Sequence, residues 1–205
     1  MNRFRLSLLF VALLIVGVAL GYSLYALLAP QNRVATVRQG AGYGEALIGG
    51  PFTLTDQDGR TRSDSEFRGR LMLVNFGFTN CPDVCPLGLQ LMTDALERLG
   101  PSADQVQPIF ITVDPPRDTP AVLKSYMEHF SERLIGFTGT PEQIADVARE
   151  YRVYYKAQGT LETDPNYSVD HSAFIYLMGR DGKFITHFRH DMDPDRVAEA
   201  IRQHL

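Results

Sequence analysis

Two cysteines stand in Thr79-Asn80-Cys81-Pro82-Asp83-Val84-Cys85-Pro86, the only two among 205 residues. Three residues separate them, one more than in the C-x-x-C of dithiol oxidoreductases. An apolar run precedes them and a helical pattern follows. The turn therefore joins the carboxyl end of a strand to a helix N-terminus, where free N–H groups and the dipole favour thiolate over thiol. A disulfide stapling so short a loop would constrain the unfolded chain little, so a purely structural bridge explains the pair poorly. If the first helical turn includes both, residues 81 and 85 lie one above the other on one face, suited to holding a small ion between two sulfurs. Two thiolates leave the third position of a trigonal site open. Such a soft donor set selects Cu(I), and an added imidazole also admits Cu(II).

Five histidines compete to supply that imidazole. His129 and His204 fall near helix ends, where they serve as dipole partners or solvated side chains. His187 and His190 lie on or just after the last expected strand and read as surface residues. His171, in Val169-Asp170-His171-Ser172, follows a long polar loop and precedes a strand, where a loop can return over the cysteine turn. Its spacing alone leaves two readings open: a ligand, or a loop histidine satisfied by Asp170.

The elements that must position these groups can be read from periodicity. Phe52 to Thr55 and Arg60 to Ser65 flank Asp58-Gly59, a hairpin signal. Leu71 to Phe76 is nearly continuous and apolar, a strand covered on both faces. Leu87 to Leu99 has helical spacing, started by Pro86 and stopped by Gly100. Ile109 to Val113 is a second buried strand, parallel to the first. Thr119-Pro120 opens a helix to about Phe130, Thr140-Pro141 another to about Tyr151, and Asp193-Pro194 a last one. Strands are expected over Arg152 to Ala157, Ala173 to Leu177 and Lys183 to Phe188, the last two joined by the turn at Asp181-Gly182. The order gives an α/β sandwich with a mixed sheet. Asp114 to Pro120 reads as a rigid loop ending in a helix cap, with Arg117 available to Asp114 or Asp118. Its acids are hard donors, ill suited to Cu(I). Phe76, Phe78, Tyr154 and Tyr155 are expected in the core, and Met72, Met92, Met127, Met178 and Met192 as packing residues.

Charge and hydropathy divide the chain. Arg3, Arg5, Arg33 and Arg38 precede every acid, leaving 16 basic against 24 acidic residues in 39–205 and a balance of −8. So acidic a domain repels phosphate backbones, which argues against nucleic-acid binding. Leu6 to Ala29 carries no charge and is long enough to cross a bilayer. The short basic flank before it puts the N-terminus in the cytoplasm. The run is longer than a signal-peptide core and lacks a small-x-small cleavage site, so it reads as an uncleaved anchor. Gly17 and Gly21 form a small-xxx-small pair there, a common chance spacing in apolar helices. The expected organisation is residues 1–5 as a cytoplasmic N-terminus, 6–29 as a transmembrane anchor, 30–50 as a glycine-rich tether and 51–205 as the folded domain. A short N-terminus without an Arg- and Ser-rich transit peptide suits a bacterial inner-membrane protein with its domain in the periplasm. That compartment is oxidising and opens the cysteine pair to disulfide formation.

At these residues the sequence resembles the Sco/SenC family of copper-binding assembly proteins for cytochrome c oxidase. The likeness runs from about Phe52 to Leu205 and rests on three motifs in order: Asn75-Phe-Gly-Phe-Thr79 leading into the cysteine turn, Thr112-Val-Asp-Pro-Pro-Arg-Asp-Thr-Pro120, and Val169-Asp-His-Ser172 before Phe174-Ile-Tyr-Leu177. It implies a thioredoxin-like fold with an inserted hairpin, one N-terminal membrane helix, and copper held by Cys81, Cys85 and His171. The resemblance further implies a chaperone that delivers copper to the CuA centre of oxidase subunit II. The alternative is a thiol-disulfide reductase that keeps the CuA cysteines reduced, with Cys81 attacking and Cys85 resolving. An upstream copper donor or thiol reductant is a further implied partner. Family members often carry histidine where this chain has Asn80, and a proline is absent from Met178-Gly179-Arg180. Asp170-His171-Ser172 also stands where thioredoxins carry a proline, which weighs against a general oxidoreductase. A peroxidase reading has no distinct peroxide pocket to support it.

Overall fold

The computed structural model describes residues 47–205. The expected membrane anchor and most of the tether lie outside the described residues, among which no helix is long and apolar enough to cross a membrane. The described residues form one compact unit. Its first described residues are already docked: the Gly49 N–H donates to the Glu150 carbonyl at 2.8 Å and Arg152 Nε to the Leu47 carbonyl at 3.3 Å. The folded unit thus reaches into the stretch whose glycines read as tether.

The main sheet has seven strands in the order β2-β1-β5-β4-β3-β8-β9. These are β1 (Thr53–Asp56), β2 (Thr61–Ser63), β3 (Leu71–Gly77), β4 (Val106–Thr112), β5 (Ile135–Thr138), β8 (Phe174–Met178) and β9 (Phe184–Arg189). Every residue of β3 and β4 is buried, as expected of adjacent parallel strands covered on both faces. β3 pairs with β4 in parallel from Leu71↔Val106 to Gly77↔Thr112, and with β8 antiparallel. The hairpin turn holds Gly59 at φ 78° and the β8–β9 turn holds Gly182 at φ 76°, conformations that favour glycine. Two further strands, β6 (Tyr155–Ala157) and β7 (Val169–His171), form a separate antiparallel pair.

Four helices cover the sheet: α1 (Val84–Leu99), α2 (Pro120–Met127), α3 (Pro141–Glu150) and α4 (Pro194–Arg202). Helices α1, α2 and α4 pack through Leu89, Met92, Leu123 and Val197 on the face carrying Leu73, Phe110 and Ile175. Helix α3 packs through Ile144 and Val147 on the face carrying Phe76, Phe137 and Tyr176. Thr119 caps α2 and Thr140 caps α3, each followed by proline at the first helical position. Met72, Met92, Met127 and Met178 are buried packing residues, as the sequence suggests.

The structure departs from the sequence reading in several places, among them the strand β7, where only a polar loop was expected. Helix α1 starts at Val84, so Pro86 is its third residue, where a missing N–H costs nothing because the first four have no intrahelical partner. Helix α2 ends at Met127, short of Phe130. Strand β5 is unforeseen, because four residues between two helices carry too little periodicity to announce themselves. The strand expected from Arg152 begins only at Tyr155, since Arg152 takes a φ of 57°. Tyr154, expected in the core, is 60% exposed just before β6, and Tyr155, also expected there, is only half-buried.

Candidate metal centre

Strand β3 delivers the cysteine turn from the middle of the sheet. Beyond Gly77 the chain buries Phe78, then turns back on itself, the Cys81 N–H donating to the Phe78 carbonyl at 3.2 Å. Asn80 is exposed at the tip. Asp83 precedes α1 without a side-chain cap, and Cys85 follows as the second helical residue, 2% exposed. Cys81 is outside the helix, so the two sulfurs meet through the turn and not through helical stacking of i and i+4. Gly77 makes the meeting sterically feasible: a Cβ there would lie 2.6 Å from Cys85 Sγ and 2.9 Å from the Phe110 ring. A side chain at this position forces the sulfur or the ring to move.

His171 arrives from the opposite direction, at the end of β7, paired with Tyr155. Its Nε2 lies 3.3 Å from Cys85 Sγ. Its Nδ1 faces the Val169 carbonyl at 3.2 Å, and because a carbonyl only accepts, Nδ1 carries the proton. That leaves the Nε2 lone pair directed at the sulfurs, the tautomer a metal ligand needs. Asp170 instead accepts from Gln158 Nε2 at 2.6 Å, so it does not satisfy His171. The Phe78 ring stands edge-on to the imidazole at 5.5 Å.

The donor atoms of Cys81, Cys85 and His171 all lie within 4.8 Å of one another, the one such group among the described residues. Metal bonds of about 2.0–2.3 Å, the lengths seen for nitrogen and sulfur at zinc, separate the ligands of a trigonal ion by about 3.5–4 Å. The cluster therefore needs only a small contraction to close on an ion, and its soft donors suit copper. None of the other histidines joins it: His129 Nδ1 lies 2.8 Å from the Ser125 carbonyl at the end of α2, and His187 packs edge-on against Phe174 at 4.9 Å.

The two sulfurs are electrostatically unequal. A hydrogen bond from Cys85 draws the half-buried Cys81 thiol down to about 5, aided by the N–H groups of Asp83 and Cys85 and by nearby His171, against the opposing effect of burial. The same hydrogen bond and deeper burial push Cys85 far up. Without metal the site thus holds an accessible thiolate in front and a thiol behind. Such an arrangement permits soft-metal capture, and equally attack on a disulfide followed by resolution.

Sequence reasoning passed over the supports of this site. Asp118, fully buried, accepts from the Thr79 N–H at 3.0 Å and from the Thr79 and Thr112 hydroxyls at 2.5 Å each. Burial raises its pKa, and those hydrogen bonds oppose the rise. Arg117 pairs with Asp114 and not Asp118, and Asp114 also accepts from the Tyr167 hydroxyl. The only available signal was Thr112 to Pro120, legible as a rigid loop but not as one reaching the cysteines. A cavity of about 380 Å³ opens beside the site between Val113, Pro116, Tyr155, Leu161 and Tyr167, and includes none of the three donors.

Comparison with known proteins places these features in a group. The SCO1/SenC family profile matches residues 40–205. A "SCO2-like protein" of Rickettsia felis is 39% identical over 197 residues, covering 96% of each chain. The copper-bound structure of ScoI from Bradyrhizobium japonicum is 46% identical and superposes with a TM-score of 0.71, over 77% of this chain and 99% of that one. BsSco, described as a cytochrome c oxidase assembly protein with a disulfide switch, is 26% identical with a TM-score of 0.62, over 78% of this chain and 95% of that one.

Proposed function

Since the chain belongs to the SCO1/SenC family, we propose that it is a membrane-tethered copper chaperone for cytochrome c oxidase assembly. It binds copper through Cys81, Cys85 and His171 and delivers it to the CuA centre of subunit II. The observation that carries this reading is the convergence of two sulfurs and an imidazole nitrogen within 4.8 Å, on the fold of a protein solved with copper bound. Copper is the cargo. Two thiolates satisfy Cu(I), and the imidazole completes a set that also holds Cu(II). Transfer needs no covalent step: a partner thiolate enters at the half-exposed Cys81 side while one of the protein's ligands leaves. The anchor over residues 6–29, the cytoplasmic N-terminus and the periplasmic domain of a bacterial inner-membrane protein belong to the same proposal.

The inequality of the sulfurs supports a second reading, a reductase of the CuA cysteines. The Cys81 thiolate attacks a partner disulfide, releasing one partner thiolate and forming a mixed disulfide. Cys85 then gives up its proton and attacks Cys81, releasing the second partner thiolate and leaving a Cys81–Cys85 disulfide. One experiment separates the readings, because a ligand set needs the imidazole and a dithiol does not. The His171→Ala chain, reduced and offered copper, is mixed with oxidised or reduced subunit II fragment, and thiol content and CuA absorption are followed separately. The chaperone reading expects disulfide reduction to survive and metallation to fail. Wild-type CuA assembly by His171→Ala, with Cys81→Ser failing only on oxidised partner, would establish the reductase in its place.

A further inference from the structure

The loop from Thr112 to Thr119 touches none of the three donor atoms, yet its two carboxylates reach toward opposite halves of the centre. On the cysteine side, Asp118 holds both the N–H and the hydroxyl of Thr79. Thr79 sits inside the turn that the Cys81 N–H closes on the Phe78 carbonyl. On the histidine side, Asp114 accepts from the Tyr167 hydroxyl and from Arg117 Nε. Arg117 Nη1 in turn donates to the Tyr167 carbonyl at 2.7 Å and the Pro165 carbonyl at 3.2 Å, and its guanidinium lies 3.7 Å from the Tyr167 ring centre. Tyr167 stands just before β7, which ends in His171.

The loop between the carboxylates is itself closed. Asp114 N–H donates to the Thr112 hydroxyl at 2.9 Å, and the Asp118 N–H to the Asp114 carbonyl at 3.0 Å. Thr112 ends β4, in register with Gly77 at the end of β3. Both acids are therefore fixed to the sheet, while the Thr79–Cys81 stretch between β3 and α1, and the β6–β7 pair, lie outside the main sheet and helices. The cysteine turn has an exposed tip, and a pair of three-residue strands outside the main sheet is marginal without further packing.

We propose that the Asp114–Asp118 loop is a gauge that sets the spacing of dithiol and imidazole: Asp118 positions Cys81 through Thr79, and Asp114 with Arg117 positions His171 through Tyr167. The proposal rests on the three-donor copper site of the preceding section and deepens it. Ordering both arms during folding spares the incoming ion that cost, and partners of this outer kind are worth about 10–100-fold in metal affinity.

Two single-hydroxyl deletions in the full chain, Thr79→Val and Tyr167→Phe, test the division of labour without emptying the buried carboxylate sites. The readouts are Cu(I) affinity by competition, the dithiol–disulfide equilibrium in the absence of copper, and the thiolate band and nitrogen hyperfine coupling of the Cu(II) form. Thr79→Val is expected to lower Cu(I) affinity about tenfold and to shift the dithiol equilibrium about tenfold, roughly 30 mV, with Thr79→Ser restoring both. Tyr167→Phe is expected to leave the dithiol equilibrium unchanged while lowering Cu(II) affinity about tenfold and weakening the nitrogen coupling. Variants that move every readout alike, or lower only the melting temperature, overturn the gauge. Copper spectra of the His171→Ala chain identical to those of the wild type overturn the three-donor site instead. The copper-free dithiol equilibrium then still decides whether Asp118 positions Cys81.

Discussion

The cysteine half of the centre and the histidine half are built on different foundations. Cys85 lies in the first turn of α1, against the end of a fully buried central strand, with its sulfur and the Phe110 ring both crowding the space beside Gly77. His171 lies on a three-residue strand outside the main sheet, its pair held by β6 and by hydrogen bonds between Tyr154 and Ser172. A buried strand and helix resist displacement because interiors are packed to crystal-like density. A short hairpin at the surface opens at far lower free energy. The difference gives the halves separate characters: the sulfurs are fixed by the packed core, and the imidazole sits on the element that opens more readily.

The strongest challenge to that contrast is to remove one donor from each half. Cys85→Ser should reduce Cu(I) affinity by more than the 10–100-fold typical of outer-sphere changes, since it deletes a ligand outright. His171→Ala should keep Cu(I) binding within about tenfold while abolishing the Cu(II)–thiolate band, because two sulfurs still satisfy Cu(I). Competition against a chromophoric chelator measures both, and equal losses in the two variants would show that the halves are not distinct.

Crowding the rigid half comes next. Gly77→Ala places a Cβ 2.6 Å from Cys85 Sγ with the Phe110 ring close behind. Overpacking of this kind costs about 1–3 kcal/mol. Urea unfolding should register the loss, and Cu(I) affinity should fall with it. Unchanged stability would mean that the sulfur can retreat, contrary to the packing described.

A smaller effect separates the sulfurs within the rigid half. In the copper-free reduced chain, Cys81 is held as thiolate down to about 5, while Cys85 is buried and protonated. The sign is that of a lowered acid: the nucleophile is present above that pH and lost as the solution is acidified through it. Iodoacetamide labelling followed by peptide mapping should therefore modify Cys81 from mildly acidic pH upward and spare Cys85. Comparable labelling of both near neutral pH would remove the asymmetry. Ser172→Ala, on the histidine half, should change global stability least, by about 0.5–1.5 kcal/mol for one lost hydrogen bond. Hydrogen exchange should place its effect in β6 and β7, and a loss spread through β3 would contradict the separation.

The same contrast explains what the sequence discloses. Strands β3 and β4 and helix α1 announce themselves through long apolar patterns, proline, and Gly100 at a φ of 58°. The cysteine half was legible from those elements, apart from the helix start at Val84. The histidine half was not, because β6 and β7 have three residues each and their pairing spans a polar loop. Spacing alone left His171 undecided, and it was the resemblance in Val169-Asp-His-Ser172 that singled it out. Asp118 stayed hidden for a related reason. A carboxylate bonded to a residue 39 positions away leaves no periodic trace.

The docking of Gly49 bears on how the domain is presented. Its positive φ of 88° lets the backbone press against Met178, and Met178 pairs with Met72 at the beginning of β3. The described chain therefore enters at one pole of the sheet, while Gly77, five residues beyond Met72 on the same strand at about 3.3 Å each, opens the metal centre at the other, roughly 17 Å away. A partner that approaches the sulfurs therefore meets the pole of the sheet opposite the one where Gly49 docks.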